Sequence, residues 1–164
     1  MALKSDRLEL QTDISFFYND GAVTRGGVVV HDTTAGSGAA MDQGVNLVKY
    51  KTVAETDVPV GILLNDVVNK DLTRTHLNQH KDEVQKGGKV TILRKGYVVT
   101  NNITGTPTAG DVAYADKSAA GNICDNAGTA VASGNLAIGR FLSSKDEDGY
   151  AKVEVNLPNH GYAN

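Results

Sequence analysis

Tryptophan is absent, cysteine occurs once, and only three prolines and three phenylalanines appear in 164 residues. A lone Cys124 excludes an internal disulfide and any cysteine-rich zinc site, and it suits a reducing compartment. Disulfides are not needed, because a chain of this length buries a core of its own. Long apolar runs are also missing: "VPVGILL" at 58–64 is strand-sized and bounded by turn residues, which excludes a membrane span of the helical kind. The opening "MALKSDRLELQTD" scatters charges where a signal peptide would have an apolar stretch, so the expectation is a soluble, unexported protein with no membrane contact.

A strong charge of either sign is lacking as well. The net charge is −3, and the one net-basic segment, residues 66–95, carries seven basic and four acidic side chains. Such a balance is too weak for direct nucleic-acid binding, which needs a clustered basic face. What the chain does have is glycine, 18 residues of it, with Thr, Asn, Asp and Ala between short Val/Ile/Leu runs. That composition predicts a mainly β fold of many short strands and tight turns.

Strands are expected at "GGVVVHD" (26–32), loosely over 45–56, and at "VPVGILLNDVV" (58–68), with Pro59 at its start and Gly61 at a bulge or close approach. Further strands are expected over "KVTILRKGYVVT" (89–100) with a kink at Gly96, and at Val112–Ala115, with one weak strand in 117–135. "LAIGRFLSS" and "YAKVEVNL", joined by the charged turn "KDEDG", make the best hairpin, with Val153, Val155 and Leu157 on one face. Residues 72–86 read as a short helix or an irregular excursion: Leu72, His76, His80 and Val84 share a helical stripe that Gly87-Gly88 would stop. Residues 1–20 show no sustained period. Their Ile14, Phe16, Phe17 and Tyr18 either pin the segment to its own core or insert into a neighbouring subunit.

Candidates for chemistry are thin. His76 and His80 stand four apart, as zinc ligands do, but Leu77 occupies the place of a zinc hydrolase's general base, and a third ligand would have to come from Asp82, Glu83 or a distant residue. His31, Asp32 and Ser133 follow a protease-like order, yet Ser133 lacks the glycine-rich context of an oxyanion hole. "GSGAAM" and "GGK" miss the glycines of phosphate loops, Cys124 has no histidine near in sequence, and "KDEDG" has too few alternating oxygen ligands for calcium. No three mutually supporting groups accumulate, which points away from an enzyme and towards binding or structure.

The order of these segments resembles a known family. "VPVGILLNDV", "GGKVTILRKGYVVTNNI", "TPTAGDVAYAD" and "GNLAIGRFLSSKDEDGYAKVEVNL" resemble the small capsid decoration, or cement, proteins of tailed bacteriophages, over about residues 58–158 and less clearly 26–31. The resemblance implies a small β-barrel or β-tulip-like domain over 21–164, an extended N-terminal arm over 1–20, and at most one short helix. It implies a structural virion protein, made in the host cytoplasm, that sits on the outer surface of the capsid and bridges major capsid proteins. Homo-oligomers are implied, trimers before dimers, and neither an active site nor a cofactor is needed. On this reading Ile14, Phe16, Phe17 and Tyr18 are apolar anchors, and Arg74, Lys81, Lys86, Arg94 and Lys95 supply polar contacts. The alternatives are a metal-dependent hydrolase built on His76 and His80, and a tail or fibre module, which the same β-rich composition allows.

Overall fold

The computed structural model describes residues 3–34, 46–50, 58–66, 83–125 and 137–157. Every regular element among them is a strand: β1 (Leu8–Tyr18), β2 (Val23–Thr24), β3 (Val28–His31), β4 (Leu47–Tyr50), β5 (Pro59–Asp66), β6 (Glu83–Val84), β7 (Lys89–Thr100), β8 (Ile103–Thr104), β9 (Val112–Ala115), β10 (Ile123–Cys124), β11 (Ala137–Phe141) and β12 (Ala151–Asn156). The mainly β expectation holds. In the segment read as helix or excursion, Glu83–Val84 is strand, paired with Val23–Thr24, because tertiary pairing overrides a weak helical stripe. Its earlier part, with His76 and His80, lies outside the described residues.

The longest strand, β7, organises the sheet. One edge of β7 pairs with β1 from Lys89 to Tyr97, and the other is shared end to end by β5 (at Val90–Leu93) and β12 (at Lys95–Thr100). From β5 the pairing continues through β3 and β4 back to β1, so five strands close a ring. Beyond β12 the sheet extends through β11, β9, β10 and β8. The β11–β12 hairpin pairs Gly139 with Val155 and Phe141 with Val153, and Val153, Val155 and Leu157 are buried as their alternation requires.

Two apolar clusters lie on the two faces of the inner strands. Val28, Ile62, Leu64, Leu93, Val98, Phe141 and Val153 belong to one. Val29, Val60, Leu63, Val90 and Ile92, with Phe16 and Tyr18, form the other. Neighbours such as Val28 and Val29, or Ile62 and Leu63, thus serve opposite clusters, which is why these strands read as unbroken apolar runs. Each such side chain contributes roughly 1.5–3 kcal/mol by leaving water. At Gly61 a Cβ atom would come 2.3 Å from the Leu93 carbonyl oxygen, the close approach expected of that glycine.

A buried carboxylate ties the end of β1 to β3. Asp32 accepts hydrogen bonds from Asn19 Nδ2 (2.8 Å), the Thr34 amide (3.0 Å) and Thr34 Oγ1 (2.7 Å), with Lys49 Nζ at 3.8 Å. Burial pushes this carboxyl upward, but the Thr34 and Asn19 hydrogen bonds and the Lys49 charge outweigh it and hold it below the usual carboxylate range. A group depressed in the folded state stabilises fully above its unfolded value, and that contribution vanishes as pH falls through the folded value. Urea unfolding at pH 7 and pH 3 should therefore show the Asp32→Asn variant losing less stability on acidification than the parent. At pH 7 the variant should be less stable by roughly 1–3 kcal/mol.

Candidate docking surface

The N-terminal segment is a strap laid along β7. Leu3 bridges to Thr100, and the Lys4 amide donates to the Val99 carbonyl at 2.8 Å. Leu3 is buried in the first cluster, while Lys4 Nζ pairs with Asp146 at 2.9 Å and lies 4.1 Å from the Tyr150 ring centroid. At the other end Phe16 and Tyr18 enter the second cluster, and Tyr18 meets Tyr50 edge-on at 6.3 Å. Both ends are held by burial. The middle is not: Leu8, Leu10 and Ile14 are 44%, 62% and 52% exposed.

Irregular pairing explains this exposure. Around Leu10 the register shifts twice, with Gln11 opposite Lys95, and a second irregularity at Ile14–Ser15 sets two residues against Thr91. Shifts of this kind re-aim side chains that strict alternation would send inward. Asp13 shapes the second one: its Oδ1 accepts from the Ser15 amide at 2.8 Å and from Ser15 Oγ, and its Oδ2 lies 3.9 Å from Arg94. Partial burial raises the Asp13 carboxyl, but Ser15 and the Arg94 charge prevail and keep it low. On the β7 side the strap can approach because Gly96 has no side chain.

Leu8 and Leu10 open onto a groove of about 290 Å³ that Tyr97, Lys95, Glu154 and Leu142 also line. Leu142, just past β11, is 43% exposed. The volume is at the low end for small-molecule pockets, roughly 300–1,000 Å³, and suits a single anchoring side chain better. Beside it, Lys152 Nζ sits 3.8 Å from the ring centroid of the lining Tyr97 and 3.9 Å from Asp6. Three exposed leucines, Leu8, Leu10 and Leu142, thus meet at one depression.

The residues singled out from sequence have separate fates. Ile14 is exposed on the strap, Phe17 is half-buried with Lys89 Nζ 6.0 Å from its ring centroid, and Phe16 and Tyr18 are core side chains. Lys95 is exposed beside the groove, Arg94 turns to Asp13, and Lys86 is exposed in the turn before β7. The strap and β7 thus bring Lys95 to Leu8 and Leu10, whereas Lys86 stands apart. Arg74, Lys81, His76, His80 and Ser133 lie outside the described residues. His31 packs its ring 5.7 Å from that of Phe16, and Asp32 is occupied as above, so the two do not form a relay. Loss of hydration and the Arg94 charge lower the His31 imidazole below its ordinary value. Among the described residues no group of three or more His, Cys, Asp or Glu could hold a metal ion. Sequence reasoning missed Leu8, Leu10 and Leu142; the apolar residues at 8, 10, 14, 16 and 18 were the available signal for the first two.

No curated protein matches the chain. A family model does match, described as "Structural cement protein (E217 gp24/Pam3 gp6)", over residues 12–156, from within β1 to the last residue of β12. A strapped, mainly β domain matched along nearly all of its length in this way belongs to the structural cement proteins of bacteriophages.

Proposed function

We propose that the protein fastens to the outer surface of the assembled phage head and stabilises it by bridging neighbouring major capsid proteins, with no catalytic step. The observation that carries this reading is the groove of Leu8, Leu10 and Leu142 on the surface of a cement-family chain. Ile14 and Lys95 extend that surface, while Phe16 and Tyr18 serve it indirectly by locking the strap in place. Residues 1–20 then act as an arm that presents anchors rather than as a free tail.

The physics of such a role is mass action. A ligand that binds the assembled lattice and not the free subunit lowers the free energy of the lattice alone, by about 2.7 kcal/mol per site at a hundredfold excess over Kd. Many copies, each touching more than one subunit, make modest site affinities effective together. Self-association, three-fold or two-fold, belongs to the same reading.

Pelleting tests it. Protein mixed with assembled, undecorated shells should sediment with them to a saturating stoichiometry, and should leave unassembled capsid protein unbound. Equal binding to free subunits, or no binding to shells, would refute the proposal.

A further inference from the structure

We infer that residues 3–7 form a flap, latched to the body by two ion pairs of opposite direction, that opens while the rest of the sheet stays folded. Pairing between the strap and β7 is not continuous here. Leu3 lies opposite Thr100 and Leu8 opposite Tyr97, so four strap residues, 4–7, cross a gap that β7 spans with two, 98–99. The surplus is taken up in a bend at Ser5. Within the gap the Lys4 amide reaches the Val99 carbonyl at 2.8 Å, and the ladder resumes at Leu8.

The strap offers a cation and then an anion, and the body answers with the reverse. Lys4 Nζ meets Asp146 Oδ2 at 2.9 Å, and Asp6 Oδ2 lies 3.9 Å from Lys152 Nζ. Each cation also rests on an aromatic face, Lys4 on Tyr150 at 4.1 Å and Lys152 on Tyr97 at 3.8 Å. The receiving carboxylate is held by its own turn. Asp146 Oδ1 accepts from the Asp148 and Tyr150 amides at 3.1 and 2.7 Å, which leaves Oδ2 to Lys4. The charged turn "KDEDG" thereby gains a task, since it fixes one carboxylate as a receptor for the strap. The Asp146 hydrogen bond raises the Lys4 ammonium above its ordinary value, and the Lys4 hydrogen bond lowers Asp146, so both stay charged across neutral pH.

Little else holds the flap shut. Of residues 3–7 only Leu3 is buried, and Ser5, Asp6 and Arg7 are exposed. Arg7 turns to Glu9 of the strap itself, at 2.6 Å, and so adds nothing across the gap. Exposed ion pairs are weak singly and are screened by salt. A segment with one apolar anchor and few backbone bonds belongs to the low end of local stability, where opening precedes global unfolding. From Leu8 onward the strap is secured by the ladder to β7 and, at its far end, by Phe16 and Tyr18 in the second cluster.

Opening has a consequence for the groove. Leu8 follows the flap directly and lies opposite Tyr97, and both line the depression, so that wall is set only while the flap is shut. Attachment to shells should then weaken as salt rises, even though the groove's contacts are apolar. This last step rests on the docking reading given above, whereas the flap itself does not.

Amide hydrogen exchange on the full chain, without shells, tests the flap. The Lys4 amide is the reporter, corrected for its intrinsic rate, and the Val153 and Val155 amides are the references. Raising salt from about 0.01 M to about 1 M should speed exchange at residue 4 roughly threefold, and Lys4→Glu should speed it roughly tenfold, with the references unmoved. Asp146→Asn keeps the acceptor for the turn's amides and loses the charge, so combining it with Lys4→Met should open the flap no further than either change alone. An unprotected Lys4 amide in the parent, exchange indifferent to both salt and Lys4→Glu, or references that speed up in step with residue 4 would overturn the inference. Faster exchange at residue 4 with undiminished pelleting on shells would spare the flap and count against the docking proposal.

Discussion

Replacing Leu8 and Leu142 together by Asp should abolish attachment to shells while the domain stays folded. Both side chains are substantially exposed and come to the groove from different elements, one on the strap and one just past β11. Exposed substitutions away from special features change stability by about 0.5 kcal/mol or less, so unfolding is not the expected route of failure. Binding is another matter, since anchoring residues at the centre of an interface are worth roughly 2–4 kcal/mol each. A loss of that size lowers site affinity by roughly thirtyfold to a thousandfold. Two carboxylates in the groove also leave charges to desolvate against an apolar partner. Pelleting with shells reads the binding, and urea unfolding reads the fold. Full binding by the variant would remove the groove from the account.

Replacing Gly96 by Ala should produce the largest loss of stability of any conservative change on β7. A Cβ atom there would stand 1.9 Å from the Leu8 carbonyl oxygen, which belongs to backbone and cannot swing aside. The residue also has a φ of 144°, a conformation that side chains other than glycine rarely adopt. Overpacking and backbone strain together are expected to cost roughly 2–4 kcal/mol. Gly110→Ala is the matched comparison: its φ is 101°, but nothing lies within 4 Å of the added atom. That variant should lose only about 1 kcal/mol, the conformational part alone. Equal losses at the two positions in urea unfolding would show that the strap does not depend on close approach at Gly96. Displacing the strap should also spoil the groove, so the Gly96 variant should bind shells poorly even when folded.

Much of the sheet was legible because its strands carry their pattern locally. In β12, Val153 and Val155 alternate with Lys152, Glu154 and Asn156, and a window of six residues suffices to see it. The unbroken run of β5 was equally clear, since burial on both faces leaves no polar position to interrupt it. The ring from β1 to β7 was not legible, because pairing strands so far apart in sequence is decided by the whole fold. Within β1 the pattern is broken by shifts at Leu10 and Ile14 that exist only against β7, so the leucines looked like scattered apolar residues in a polar segment. Arg94 and Lys95 illustrate the limit for sites. Both are basic and adjacent, and sequence alone nominated both, yet neighbours on a strand point to opposite faces. Lys95 therefore borders the groove while Arg94 turns to Asp13.

On the function proposed above, binding the assembled lattice is the whole of this protein's work. Calorimetry of undecorated shells titrated with the purified protein tests it most directly. The shell's thermal transition should climb with each addition and level off once the sites are full, leaving the transition of unassembled capsid protein where it was. A shell transition that stays fixed at saturating protein would contradict the account.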